Sequence, residues 1–200
     1  MHLYCLEKLK SMKKYLFLLI LFVFVYKAEA QQQTKIGLNL LIEQNTSGTY
    51  FEPGIGLSIE RQITKRSGIE SGLYYRTTER SLYTSFYDQP NILSISYIDI
   101  SEHFLSLPIL YKFHSRIVNF AVGPTMDYFV GWNQASDNSQ VEVEDYNISP
   151  DLSFGAMLKL SKAIRLGEKA SLEPEVRINP NFTYGIAYLG FGIPLKFRID

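Results

Sequence analysis

Residues 117–132 read IVNFAVGPTMDYFVGW. Every second residue from Val118 is apolar or aromatic: Val118, Phe120, Val122, Pro124, Met126, Tyr128, Val130 and Trp132. Between them lie Asn119, Ala121, Gly123, Thr125, Asp127, Phe129 and Gly131, which are mostly small or polar. A period of two marks a strand whose two faces meet different surroundings. The stretch is also longer than the about 9–11 residues a strand needs to cross a bilayer at a tilt. It predicts one stave of a membrane barrel, with greasy side chains toward lipid and small polar ones inward.

The same alternation recurs along the chain at residues 35–43, 52–61, 68–77, 104–113, 151–161, 169–179 and 187–199. Eight such segments predict an all-β fold, an eight-stranded antiparallel up-and-down transmembrane β-barrel. The connections after the second, fourth and sixth segments are short and basic, with Lys65, Arg66, Arg116, Lys162 and Arg165. Those after the third and fifth are long, at residues 78–101 and 133–149. Short periplasmic turns and long outer loops are the asymmetry of bacterial outer-membrane barrels. Both chain ends then fall on the periplasmic side. Within the longest excursion, residues 93–100 alternate well enough to be strand, and this hairpin is expected to project beyond the membrane.

Alternation alone also fits a soluble exported barrel of lipocalin type, which turns its apolar face inward. Glycine placement argues for the membrane. Gly37, Gly54, Gly56, Gly68, Gly72, Gly123, Gly131, Gly155, Gly190 and Gly192 all take the polar parity. Glycines on a water-exposed face would only weaken the sheet. Inside a narrow eight-stranded barrel they relieve crowding. Charges of both signs share that parity: Glu60, Glu70, Arg76, Lys112, Asp127, Lys159, Glu173, Glu175, Arg177 and Lys196. They are expected to pair across the lumen. On the apolar parity, Tyr111, Phe113 and Phe197 lie near the turns, and Tyr75, Tyr128 and Trp132 near the long loops. These are expected to form two interface girdles.

The first thirty residues read as a signal peptide. Lys8, Lys10, Lys13 and Lys14 form a basic start, residues 15–26 an apolar run, and Ala28-Glu29-Ala30 a small-x-small cleavage site. Met12 offers an alternative start before Lys13 and Lys14. Residues 31–200 are then the barrel domain. They hold fifteen cations against eighteen acids, a net charge of −3, which points away from nucleic acid. Cys5, the only cysteine, leaves with the leader, so the mature chain has no disulfide and no thiol chemistry.

Few residues suggest chemistry. Ser101 and His103 sit two apart on the lipid-facing parity near the outer rim, where a lipid-modifying hydrolase would place them. No orienting third group or oxyanion site is visible in the sequence, so an interfacial pair without a task is the simpler reading. Glu173 and Glu175 resemble a glycosidase pair in composition only, and a packed lumen has no room for a sugar. No cofactor or metal motif appears; the mature histidines are His103 and His114 alone. The Tyr/Ser-rich hairpin, with Tyr83, Phe86, Tyr87 and Tyr97, is the best binding candidate, because Tyr offers rigid contact area at low entropic cost.

Three stretches carry a family resemblance: FLSLPILYKF at 104–113, FAVGP at 120–124 and LGFGIPL at 189–195, behind a Gln-rich start at Gln31. With them the segment 34–200 resembles the small outer-membrane β-barrels of Bacteroidetes-type bacteria, the group that includes PorT-like barrels. That family implies an outer-membrane barrel; it includes parts of secretion and gliding machinery beside many uncharacterised members, and so implies no reaction. One departure is the ending Phe197-Arg198-Ile199-Asp200, where many outer-membrane barrels close on an aromatic residue. The expected function is a non-catalytic outer-membrane module, structural or interacting, monomeric and in contact with outer-membrane lipid. Its partner would be another envelope protein or a surface ligand.

Overall fold

The computed structural model describes residues 33–46, 48, 50–89, 92–134, 146 and 148–199; for 83–97 only backbone is described. The leader expected at residues 1–30 lies outside the described residues.

Every element among the described residues is a strand. They are β1 (Thr34–Asn45), β2 (Glu52–Thr64), β3 (Ser67–Gln89), β4 (Ile92–Phe113), β5 (Asn119–Gln134), β6 (Leu152–Ser161), β7 (Ile164–Arg165), β8 (Ala170–Leu172), β9 (Glu175–Asn181) and β10 (Ile186–Arg198). Neighbours in sequence pair antiparallel from β1 to β6; β6 then pairs with β9 and β9 with β10. β10 returns to β1 with Lys35 opposite Arg198 and Asn45 opposite Tyr188, which closes the ring. β8 and β9 are two parts of one stave, so eight staves circle the barrel. The seventh is broken at Pro174, which has no N–H to give to a ladder. Its carbonyl still accepts from Lys162 N at 3.1 Å, and Glu173 N donates to Pro194 O at 2.8 Å, so the ring stays closed across the break.

Burial shows which face is inside. Leu38, Leu40, Ile42, Ile55, Leu57 and Ile59 are exposed on the outer surface, Leu40 at 58%. On the opposite parity Glu60, Glu70, Lys112, Lys159, Arg177 and Lys196 are each at most 2% exposed. Among the described residues the apolar core shrinks to a cluster of Leu110, Ala121 and Met157. Such an inside-out molecule can persist only with hydrocarbon against its exterior. The soluble lipocalin-like alternative is overturned on this ground.

The glycines let bulky groups cross the lumen. The Tyr74 ring lies so close over Gly56 and Gly72 that a side chain at either would collide with it, at 2.7 Å for Gly72. Gly131 departs from the expected inward set: a Cβ there would meet nothing within 4 Å. The reason is a bulge. His103 pairs with Gly131 but Phe104 pairs with Phe129, so Val130 is an extra residue. One inserted residue exchanges the faces beyond it.

β3 and β4 run 23 and 22 residues, against 12 for β1. The excursion read as loop with a strand-like second half is strand on both sides, paired from Thr77 with His103 to Gln89 with Ile92.

Candidate functional site

Two polar assemblies fill the barrel's interior. Toward the short turns, two ammonium groups are each shared among three carboxylates. Lys112 Nζ lies 2.8 Å from Glu60, 3.1 Å from Glu70 and 2.5 Å from Glu173. Lys196 Nζ lies 2.7, 2.7 and 2.8 Å from the same three. An ammonium has three protons to donate, so each lysine is saturated by this arrangement. Glu60, Glu70 and Glu173 stand close enough together to hold a cation; Lys112 and Lys196 supply the positive charge there.

A second tier continues toward the outer end. Lys159 Nζ bridges Glu70 at 2.5 Å and Glu175 at 2.8 Å. Arg177 pairs with Glu175 and approaches Glu43 at 3.6 Å. Arg76 spans Glu43 at 3.0 Å and Asp127 at 3.1 Å. Both guanidinium groups lie over aromatic rings, Arg177 over Tyr74 at 5.0 Å and Arg76 over Tyr188 at 4.4 Å. Asn181 Nδ2 donates to Asp127 at 3.2 Å and to Ser153 Oγ at 2.8 Å. The structure therefore brings together Glu60, Glu70, Arg76, Lys112, Asp127, Lys159, Glu173, Glu175, Arg177 and Lys196, and adds Glu43. Glu43 was visible in the sequence only as one more polar-parity residue of β1.

The outer end is closed by apolar groups that sequence reasoning missed. Ile98, Ile100 and Phe104 are buried on the lumen parity, and Ile148 of the following long loop is buried as well. Phe104 packs edge-on against Phe129 at 5.6 Å and beside Tyr184 at 6.4 Å. Trp132 belongs here too, which corrects its placement in the lipid girdle. Beyond the bulge it lies opposite Glu102, which is fully buried, and its ring packs against Tyr146 at 5.6 Å. The Tyr146 hydroxyl donates to Glu102, which also pairs with Arg80 at 2.7 Å. Burial and that hydrogen bond push the Tyr146 phenol above its ordinary range. The sequence signal was the lumen parity that Ile98, Ile100 and Phe104 share with Glu102.

Tyr75, Tyr111, Phe113, Tyr128 and Phe197 lie exposed on the outer surface. Tyr75 stacks on His103 at 5.6 Å. The His103 ring nitrogens face Thr77 Oγ1 at 3.4 Å and Asn133 Oδ1 at 2.5 Å. Glu173 and Glu175 belong to different tiers of the lumen, each held by its own cations. The side chains of Tyr83, Phe86, Tyr87 and Tyr97 lie outside the described residues; the backbone register sets Tyr83 opposite Tyr97.

A scan against protein-family models finds no match, and a search of the curated proteins finds none either. Among solved structures the chain is similar to the outer-membrane protein OprG of Pseudomonas aeruginosa. The TM-score is 0.52 at 11% identity, over 86% of this chain and 98% of that one. It is also similar to Ail, the attachment invasion locus protein of Yersinia pestis, solved in complex with the heparin analogue sucrose octasulfate. That TM-score is 0.51 at 9% identity, over 85% of this chain and 100% of that one. At such identities the likeness is one of fold. Together with the apolar exterior, it makes the chain a small eight-stranded barrel of the bacterial outer membrane.

Proposed function

We propose that this barrel is a non-catalytic interaction or structural module that presents the β3–β4 hairpin above the outer membrane. The observation that carries this reading is the surplus length of β3 and β4. Past Thr77 the hairpin continues for twelve residues to Gln89. At about 3.4 Å per residue and a tilt of roughly 40°, it rises roughly 30 Å beyond the apolar belt. Its lower part helps to close the barrel, with Arg80 paired to Glu102 and Ile98 and Ile100 buried. The strands run on past that closure to Gln89 and Ile92, so the use of the added length lies outside the barrel. Its partner would be another envelope protein or a surface ligand, met by a monomeric barrel.

Two observations support a role without catalysis. The lumen carboxylates are tied to cations: even Glu60 and Glu173, which line a recess at the short-turn end, are each held by both Lys112 and Lys196. His103 is engaged by Thr77 and Asn133, and no contact joins it to Ser101 among the described residues. The resemblance carried by residues 104–113, 120–124 and 189–195 further supports a place among PorT-like barrels, hence in secretion or assembly machinery.

The test uses the whole barrel beside a variant in which residues 82–98 are replaced by Asn-Gly. Ser81 and Asp99 are cross-strand partners, so a two-residue turn fits there. Cross-linking in outer membranes should capture a partner with the full hairpin and lose it with the trimmed one. Identical capture profiles would remove the reading. Lipid analysis of Ser101→Ala and His103→Ala strains should show an unchanged profile, and an altered one would favour a lipid-modifying enzyme.

A further inference from the structure

The three short connections carry six cations, Lys65, Arg66, Arg116, Lys162, Arg165 and Lys169, against one carboxylate, Glu168. All six are exposed, and among the described residues none is ion-paired. Lys162 Nζ instead donates to the Arg116 carbonyl at 2.7 Å. Apolar residues are interleaved with them: Ile117 is 77% exposed and Leu166 58%. These continue the hydrocarbon belt through Val118, Phe113 and Phe120, which are exposed on the same surface.

The β2–β3 and β4–β5 turns are joined where His114 N donates to Arg66 O at 2.7 Å. Beside that bond lies an open recess of ≈ 760 Å³ lined by Lys65, Arg66, Phe113, His114, Ser115 and Arg116. It offers three exposed cations, two polar side chains and one lipid-facing aromatic wall.

We propose that this recess seats the phosphate of an anionic glycerophospholipid of the inner leaflet, with an acyl chain lying along Phe113. Guanidinium and ammonium groups together suit a phosphodiester, the first by paired hydrogen bonds and the second as a point charge. The remaining cations extend the seat into an anionic-lipid collar around the periplasmic rim. A water-borne acidic polymer fits less well. It would meet the charges but leave Ile117 and Leu166 uncovered, whereas a lipid covers both kinds of group at once. The inference rests on the membrane placement of the barrel and not on the role of its hairpin.

The experiment is native mass spectrometry of the folded barrel. It is released from vesicles of phosphatidylcholine doped with phosphatidylglycerol of the same acyl chains. The wild-type barrel should retain phosphatidylglycerol preferentially, and more weakly as ionic strength rises. The combined change Lys65→Gln, Arg66→Gln and Arg116→Gln should remove most of the preference. Each side chain is worth about five-fold, so Arg116→Gln alone should show a measurable part of the loss should the triple variant fold poorly. Heat-modifiable mobility reports folding, since none of the three side chains enters the lumen. Equal retention of the two lipids by the wild type would overturn the proposal, as would an undiminished preference in the folded variants. Displacement of the lipid by a soluble acidic muropeptide would overturn it in favour of a cell-wall contact.

Discussion

Replacing Glu70 by Gln should destabilise the barrel more than any single surface change. Glu70 meets Lys159 at 2.5 Å, Lys196 at 2.7 Å and Lys112 at 3.1 Å, and is 1% exposed. At an effective dielectric of about 20, each contact near 3 Å is worth roughly 5–6 kcal/mol of Coulomb energy. Desolvation of the buried ions offsets much of this, and removing one partner of a buried pair costs about 3–5 kcal/mol net. Gln keeps the shape but loses the charge; its one carbonyl oxygen cannot serve both sides, so its NH2 faces at least one ammonium group. The predicted loss is therefore about 3–5 kcal/mol. Restoring charge balance with Lys159→Met should recover about 1–3 kcal/mol as a coupling energy. The assay is urea unfolding in lipid where unfolding and refolding curves coincide, followed by heat-modifiable mobility and by Trp132, the only tryptophan. A loss under about 1 kcal/mol, the range of an exposed pair, would refute a dry network and imply a water-filled lumen.

Three further outcomes follow from the same geometry. Gly72→Ala places a methyl 2.6 Å from Leu57 O and 2.7 Å from the Tyr74 ring, so a loss of about 1–3 kcal/mol is expected in the same unfolding assay. Gly131→Ala meets nothing and should stay within about 0.5 kcal/mol; equal effects at the two positions would contradict the lumen packing. In planar bilayers the barrel should show no large steady single-channel currents, because ion-paired side chains and the Phe104 cap fill its bore; porin-like conductance would count against both. Burial lowers the His114 imidazole below 6.5, helped by Lys112 and Lys35 and opposed by Glu60. The unfolded chain then takes the proton first, so this contribution to stability is intact above pH 6.5 and declines as pH falls below it. An NMR titration of His114 at or above 6.5 would contradict its burial at the rim.

Face assignment could be read from the sequence because it is a local property. Each strand of a closed ring keeps its parity, so Leu38 and Glu60 sort by position alone. The assignment slips at Val130, because a bulge inserts a residue without any mark in composition. That single residue carries Trp132 from the lipid girdle to the capped outer end and Gly131 the other way. Height along the barrel is another matter. Parity places Glu173 and Glu175 on one side, yet the first joins Lys112 and Lys196 while the second joins Lys159 and Arg177. Which tier a charge enters depends on the stagger between strands far apart in sequence, as when Lys159 meets Glu70 across 89 positions. Nothing in the spacing of either residue encodes that stagger.

The upper half of β3 was hidden for a different reason. Alternation marks only strands whose two faces meet unlike surroundings. Below Tyr75 one face meets hydrocarbon and the other a packed lumen, and, Ser71 apart, the outward positions are apolar. From Thr78 to Gln89 the sequence is a mixture of Thr, Ser, aromatic and charged residues with no apolar parity. What keeps it extended is the cross-strand partner, through a ladder that continues to Gln89 and Ile92. A strand free of an apolar face is free to choose its side chains, and in this chain it chose tyrosine and serine, the residues suited to contact with another molecule.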